Sequence, residues 1–313
     1  MPWDARENAL FDLARMVQET GYSFVTITPA THLLVNSRPE NRWAHSLQDV
    51  FGWSRPFRPG TLTTAMLDIM TKAELLAEHE DGMRSLVRFS SLDGNLFAHS
   101  AFPTSAADSV FFGPDTYKFV NAINAYLEKR RAPIRRAVDV CSGAGPGGIA
   151  IAKAVPEAEV FLADINNAAL SMARVNLALA GLEQATPQYS NLLSGVPDQF
   201  DFIVAHPPYL VDRGTRIYRH GGGLLGAELA LNIVRSAMDR LNQDGTLLLF
   251  TGIAIVGGHD HFRAAVASIM PESGFDWTYR EVDVDVFGEE LQHEPYNQVD
   301  RIALTVLTLT RQN

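Results

Sequence analysis

The chain has 313 residues, of which 46% are hydrophobic and 20% charged, and its formal net charge is -10. This composition is ordinary for a globular protein, and the negative charge disfavours nucleic acid or an anionic membrane as a partner. The single cysteine, Cys141, excludes an internal disulfide and a thiolate zinc cluster. We expect no signal peptide and no membrane span, because no run approaches the roughly 20 apolar residues that a span needs. A cytoplasmic protein is predicted, with a small-molecule partner and an undecided oligomeric state.

The N-terminal part, residues 1–110, is predicted to form a small lid or substrate domain. Apolar residues recur at helical spacing from Leu10 to Val17 and from Leu62 to Met70. The pair Asp93-Gly94 then favours a tight turn between two short strands. Helices followed by a hairpin resemble a winged helix, but the segment is not basic, so we expect a packing or lid role.

The remainder, residues 111–313, alternates between strand and helix patterns. This alternation predicts a parallel sheet with helices on both faces. Helices are expected at about 116–130 and 147–154, through residues 170 and 175 to 179, and at 224–241. Strands are expected at 137–140, 160–163, 202–205, 246–251, 277–286 and 302–309.

A glycine-rich turn follows the first of these strands. Gly143, Gly145 and Gly148 match G-x-G-x-x-G between a strand and a helix. In such turns the first glycine permits a sharp bend, the second lets backbone approach a ligand, and the third lets the helix pack on the strand. The pattern alone is a weak signal, because a tight turn without a ligand also satisfies it.

The second strand ends at Asp164, 164 − 139 = 25 residues after Asp139. That spacing suits one strand-turn-helix-strand unit, and a carboxylate at this strand tip can accept the hydroxyls of a nucleoside ribose. Aspartate also suits the cap of the following helix. These features do not distinguish a nicotinamide dinucleotide from S-adenosylmethionine (SAM).

A later strand ends in His206-Pro207-Pro208-Tyr209. Two consecutive prolines cannot continue a ladder and fix an extended exit from the sheet. Ligands of open α/β sheets bind at this carboxyl edge. The exit therefore predicts a rigid wall of a substrate slot.

The segment resembles the N-P-P-[YF] loop of class I SAM-dependent methyltransferases, including release-factor glutamine and adenine N-methyltransferases. The turn from Asp139 to Gly145 resembles their first SAM motif, and Asp164 resembles their ribose-binding acid. Further similar segments are Ser190-Asn191-Leu192-Leu193, His220 with its three glycines, and Asp244-Gly245. The resemblance implies a Rossmann-like, seven-stranded methyltransferase sheet. It implies SAM binding by Asp139, Ser142, Gly143, Ala144, Gly145, Asp164, Ile165, Asn191, Leu192 and His206.

Two positions depart from the family pattern. His206 replaces the motif asparagine, whose carbonyl receives a planar amide or an exocyclic amine in the family. Neutral imidazole accepts through one nitrogen and imidazolium only donates, so glutamine and adenine become doubtful substrates. Asn191 replaces an aspartate, but its amide oxygen can still accept a bond from the adenine amino group.

The residues expected to act on the substrate surround this loop. His206 is predicted as the catalytic base, and Tyr209 as a catalytic residue that stacks on the substrate or on the sulfonium. The predicted substrate-binding residues are Pro207, Pro208, Tyr209, Tyr117, Tyr218 and Arg219. Arg219 suits a substrate carboxylate. No metal site is expected, since His259 and His261 lack a third ligand.

The leading hypothesis is a SAM-dependent methyltransferase that acts on an amine, amide or hydroxyl of a small molecule, in secondary metabolism. One alternative is a SAM-cleaving cyclase, similar to azetidine-carboxylate synthases, that releases methylthioadenosine. Another is a protein glutamine or nucleic-acid N-methyltransferase. A nicotinamide dehydrogenase and a SAM-binding protein without catalysis also remain open.

Overall fold

The N-terminal third combines helices with two hairpins in the computed structural model, which describes residues 3–130, 132–182, 184–212, 216–223, 225–270 and 274–312. Its elements are helices α1 (Ala5–Glu19), α2 (Pro29–Asn36) and α3 (Thr64–Lys72), and strands β1 (Leu76–His79), β2 (Gly82–Ser85), β3 (Val87–Leu92) and β4 (Asn95–Ser100). The predicted hairpin is β3–β4. Asp93 and Gly94 form its two-residue turn, and both have positive φ, +48° and +74°, which matches the twist of the flanking strands.

The second part contains the predicted alternation of strands and helices. Its elements are α4 (Pro114–Lys129), β5 (Arg136–Val140), α5 (Pro146–Ala154), β6 (Glu159–Asp164), α6 (Asn167–Ala180), β7 (Ala185–Tyr189), β8 (Phe200–Ala205), α7 (Glu228–Arg240), β9 (Leu241–Val256), β10 (His259–Asp260), α8 (His261–Ile269), β11 (Phe275–Asp283) and β12 (Arg301–Arg311). Within the described ranges, no helix is both long and apolar enough to cross a bilayer.

The large sheet has the strand order β11-β12-β9-β8-β5-β6-β7, with the short β10 added beside β9. This confirms the expected seven-stranded, Rossmann-like fold. Strands β7, β6, β5, β8 and β9 are parallel, but β12 runs antiparallel to both of its neighbours. The expectation of an all-parallel sheet is therefore wrong at β12. Strands β11 and β12 are joined by residues 284–300 without a crossover helix that would make them parallel.

Alternate residues along each strand belong to two apolar layers, one on each face of the sheet. On β5, Ala137 belongs to one layer and Val138 to the other, and both are fully buried. Successive side chains of a strand point to opposite faces, so a central strand covered on both sides reads as a continuous apolar run. The short run 137–140 is therefore apolar except for Asp139.

The N-terminal third packs on helix α6. Glu7 pairs with Arg174 at 2.6 Å, and the buried side chain of Asn176 bonds the backbone of Ala98 in both directions, at 2.7 and 3.0 Å. Asn176 also donates to the carbonyl of Ala144, which lies in the glycine turn. The hairpin β3–β4 is thereby fixed near the carboxyl edge of the sheet. The division at residue 110 into two domains stays a prediction.

Several elements were missed by the sequence patterns, among them the hairpin β1–β2, strands β7 and β10, and helices α2 and α8. Strand β7 contains Pro187 and polar residues, which sequence patterns disfavour but which an edge strand tolerates. Helices α2 and α8 are only 8 and 9 residues long. The helix expected from residue 224 begins at Glu228, and Leu224 itself lies outside the described residues.

Candidate active site

A cavity of about 390 Å³ lies at the carboxyl ends of β5, β6 and β8, between the sheet and the N-terminal third. Its volume is in the range that small-molecule and cofactor sites occupy. Most of the predicted site residues line it: Ser142, Gly143, Ala144, Asp164, Ile165, Asn191, Leu192, His206, Pro207, Pro208, Tyr209, Tyr218 and Arg219. The predicted edge of the sheet is thus where the cavity is found.

The glycine turn forms one wall of the cavity. Gly143 has φ +54°, which favours glycine, and a side chain added there would meet no atom within 4 Å. Gly148 lies under the turn, where a Cβ atom would be 2.6 Å from the side chain of Leu162. The turn therefore leaves backbone open towards the cavity, while helix α5 sits close against β6.

Asp164 is joined to this turn by a hydrogen bond. Its carboxylate accepts from the backbone N–H of Gly143 at 2.9 Å and from that of Asn166 at 2.8 Å. Burial raises the pKa of Asp164, and these two N–H donors oppose that rise. The cap of α6 is Asn166, whose side chain accepts from Ala168. Asp164 is thus left with lone pairs at the cavity wall, which suits it to accept ribose hydroxyls.

Three predicted residues do not line the cavity. Asp139 is fully buried and accepts from the N–H of Gly148 at 2.8 Å, and burial raises its pKa to about 7. Gly145 has φ +87° and packs on Leu162. The hydroxyl of Tyr117 accepts from the N–H of Thr26 at 3.0 Å. These three residues therefore contact residues next to the cavity wall and do not face the cavity themselves.

Asn191 and Leu192 follow β7 in a tight turn. The hydroxyl of Ser190 donates to the carbonyl of Leu192 at 2.7 Å and accepts from the N–H of Gly195 at 2.9 Å. These bonds fix the turn next to the tip of β6, on which Asp164 lies. The two residues therefore share one end of the cavity with Asp164.

His206 lies in an aromatic enclosure. Its ring is 5.3 Å from Phe119, 5.0 Å from Phe250 and 6.0 Å from Tyr209, measured between ring centroids. Its Nε2 is 3.5 Å from a carboxylate oxygen of Asp115. Burial lowers the pKa of His206, and Asp115 opposes this only in part. The ring is therefore uncharged at neutral pH, and a proton on Nε2 facing Asp115 leaves Nδ1 as an acceptor.

Tyr209 is held by contacts on several sides. Its hydroxyl donates to the carboxylate of Asp115 at 2.8 Å, and its ring lies against Gly252, where a Cβ atom would be 2.2 Å away. Phe287 packs on the ring with centroids 6.0 Å apart. Only 7% of the residue is exposed. Tyr209 thus lines the cavity as a fixed wall, and its stacking role stays a prediction.

Tyr218 and Arg219 also line the cavity. Tyr218 stacks on Phe111 with centroids 5.6 Å apart. Arg219 pairs with Glu290 and with Asp212, the latter at 3.4 Å. Two carboxylates already oppose the charge of Arg219, which weakens the prediction that it binds a substrate carboxylate.

Asp115 and Arg88 are two charged residues of the site that the sequence patterns did not predict. Asp115, in the first turn of α4, receives the Tyr209 hydroxyl from 94 residues away in the sequence. Arg88 also lines the cavity. A charged residue between the apolar Val87 and Phe89 was the only sequence signal for it.

Comparison with known proteins shows what the central region is similar to. Residues 121–255 match the family model of the methyltransferase small domain. Trm5 of Methanocaldococcus jannaschii, solved in complex with adenosine, has a similar fold with a TM-score of 0.50 at 17% identity, covering 75% of this chain and 59% of its own.

Two relatives are more similar in sequence. The ribosomal protein uL3 glutamine methyltransferase of Bordetella pertussis is 34% identical over 150 residues, 44% of this chain and 49% of the relative. The release factor glutamine methyltransferase of Deinococcus radiodurans is 36% identical over 156 residues, 47% of this chain and 55% of the relative. The chain thus spans about half the length of the curated relatives it matches.

The expectation of a small-molecule acceptor in secondary metabolism is wrong, and with it the small-molecule partner. The names of the similar relatives describe methyltransferases that act on glutamine in a ribosomal protein or a release factor. The expectation rested on His206 as a poor receiver of an amide. The ring is instead uncharged and mostly buried, so one nitrogen can accept an amide N–H.

The glycine turn, the acidic residue beside it and the strand order agree with the family match. Residues 121–255 are therefore similar to the methyltransferase small domain, and the sheet around them has the fold of a class I, SAM-dependent methyltransferase.

Proposed function

We propose that this chain methylates the side-chain amide nitrogen of a glutamine in a protein substrate, in the cytoplasm. The observation that carries the proposal is that two relatives, 34% and 36% identical over about half of this chain, are both named glutamine methyltransferases. The cavity supports it, because its walls provide a polar end for a nucleoside and an uncharged acceptor at His206.

The cofactor end of the cavity fits SAM. The Asp164 carboxylate would accept the ribose hydroxyls, and the open backbone at Gly143 would face the ligand. The Asn191 side chain would accept a bond from the adenine amino group. Bound SAM supplies an electrophilic methyl group on a sulfonium centre.

The acceptor end centres on His206. A primary amide carries two N–H donors, and the His206 Nδ1 can accept one of them, while a carbonyl of the His206–Tyr209 loop can accept the other. The amide nitrogen must lose one proton as it gains the methyl group. His206 is unprotonated at neutral pH, so it can take this proton as a general base.

The aromatic enclosure of His206 supports the same function. Phe119 and Phe250 pack on the ring and leave the residue only partly exposed. A site that excludes water strengthens polar contacts with the acceptor and removes water as a competing nucleophile.

The test is incubation of the purified chain with SAM and, separately, with bacterial ribosomal protein uL3 or a release factor. We expect S-adenosylhomocysteine as the nucleoside product and one methylated glutamine in one of the two proteins, both measured by mass spectrometry. Release of methylthioadenosine without any acceptor would identify internal cleavage and contradict the proposal. S-adenosylhomocysteine without methylglutamine in either protein would also contradict it.

A further inference from the structure

A second polar feature of the cavity lies on the N-terminal hairpin, away from the glycine turn. Arg88 lies on β3 directly opposite His99 of β4, and both residues line the cavity. Only 4% of Arg88 is exposed. Burial lowers the pKa of Arg88 to about 10, so the guanidinium remains charged at neutral pH. A charged group is therefore held inside the protein at the cavity wall.

The charge of Arg88 has little to balance it. Its Nε donates to the carbonyl of Gly52 at 2.6 Å, and the guanidinium lies 5.1 Å from the centre of the Phe24 ring. Its Nη2 is buried and has no hydrogen-bond partner, and in the part of the chain that the structure describes no carboxylate lies within ion-pair distance of it. Arg219, at the same cavity, has two such partners.

A neighbouring donor is also unpaired. The amide oxygen of Asn36 accepts from Arg55 at 2.9 Å, so its nitrogen faces Nδ1 of His32 at 3.4 Å. His32 therefore carries its proton on Nε2, which is buried without a partner among the described residues. The ring packs on Phe102, a residue of the cavity wall, with centroids 4.2 Å apart.

The region around these donors is positive. Burial lowers the pKa of His32 to about 4, and the charges of Arg88, Arg55 and Arg84 lower it further. The Nε of Arg84 is likewise buried without a partner among the described residues. An uncompensated buried charge is unfavourable, and a carboxylate, like a phosphate, matches the geometry of a guanidinium.

We propose that Arg88 binds a carboxylate group of a ligand inside this cavity. The proposal goes beyond the methylated acceptor, because it holds whichever amide receives the methyl group. Two ligands can supply the carboxylate: the methionyl end of the cofactor, or an acidic group of the acceptor next to the methylated residue. Charge-assisted hydrogen bonds of this kind change affinity roughly ten- to a hundredfold.

The test compares ligands with and without the carboxylate by calorimetry. S-adenosylhomocysteine carries it and methylthioadenosine does not. If the cofactor supplies the group, Arg88→Met weakens binding of S-adenosylhomocysteine roughly ten- to a hundredfold and leaves methylthioadenosine unchanged. Arg88→Lys should recover part of the loss. Arg58→Met is the matched control, since Arg58 is an exposed arginine of the same third, paired with Asp81 at the surface.

If the acceptor supplies the group, both nucleosides bind Arg88→Met as they bind the wild type. Acetate, but not chloride, then shifts the side-chain N–H resonance of Arg88 in wild-type protein saturated with S-adenosylhomocysteine. This measurement uses only the wild-type protein, so it does not depend on whether Arg88→Met folds. Equal loss of both nucleosides in Arg88→Met would mark a purely structural role and overturn the proposal. Unchanged nucleoside binding together with no acetate shift would also overturn it. None of these readouts depends on glutamine methylation.

Discussion

The hydroxyl of Tyr209 donates a 2.8 Å hydrogen bond to the carboxylate of Asp115, and His206 lies 3.5 Å from the same oxygen. One buried carboxylate at the start of α4 therefore holds both side chains of the proline loop that face the cavity. The second oxygen of Asp115 accepts from the N–H of Thr116 at 3.0 Å. The orientation of the loop is thus set by a residue outside it.

Tyr209→Phe tests this relationship. The substitution keeps the ring against Gly252 but removes the donor to a buried carboxylate, and we expect a loss of about 1–3 kcal/mol in the free energy of unfolding. Urea denaturation measures it. Tyr189→Phe, at a tyrosine that is 56% exposed, should change stability by less than about 0.5 kcal/mol. Equal effects of the two substitutions would contradict the role of the hydroxyl.

The methyl-transfer rate should depend on pH through His206. Burial lowers its pKa below the usual 6.5, and the unprotonated ring is the form that accepts. The rate should therefore be flat at neutral and alkaline pH and fall only as the pH drops through the lowered pKa. Asp115→Asn removes the charge that opposes this lowering, so the acid limb should move to still lower pH. An acid limb that moves to higher pH would argue against His206 as the titrating group.

Asp164→Asn tests the ribose contact. The variant keeps the size of the side chain but loses its charge, so we expect the Kd of methylthioadenosine to rise roughly ten- to a hundredfold. Isothermal titration calorimetry measures it. Asp276→Asn, at an exposed position on β11, should bind as the wild type. Unchanged binding by Asp164→Asn would place the ribose elsewhere.

Gly148→Ala tests the close contact between α5 and β6. The added Cβ would lie 2.6 Å from Leu162, so either the helix or the leucine must move, at a cost of about 1–3 kcal/mol in stability. Gly288→Ala is the control, because a Cβ there meets nothing within 4 Å and its φ is not positive. Thermal denaturation of both variants gives the comparison. A stable Gly148→Ala protein would show that the packing is looser than described.

Local features of the sequence predicted much of the site. Gly143 is specified by its positive φ, Gly148 by the packing of α5 on the adjacent strand β6, and Pro207 by its missing N–H, so the sequence of one strand-turn-helix-strand unit and one loop suffices to place them. Asp164 followed from the length of one strand-turn-helix-strand unit. The same short-range logic predicted the hairpin at Asp93.

The features that sequence reasoning missed depend on long-range contacts. Asp115 matters because the Tyr209 hydroxyl donates to it, and Arg88 because its Nη2 is buried without a partner in the described structure. The charge state of His206 depends on the aromatic rings packed around it. Neighbouring residues in the sequence reveal neither pairing nor burial of this kind. The wrong prediction of a small-molecule acceptor followed, because it rested on His206 without knowledge of its surroundings.

The central claim is that the tips of β5 and β6 hold the nucleoside while the loop from His206 to Tyr209 presents the acceptor. A crystal structure of the chain with S-adenosylhomocysteine and a glutamine-containing peptide tests it most directly. We predict ribose hydroxyls on the Asp164 carboxylate and the glutamine amide against His206, facing the sulfur. A nucleoside bound away from Gly143, or a loop turned away from the sulfur, would contradict the account.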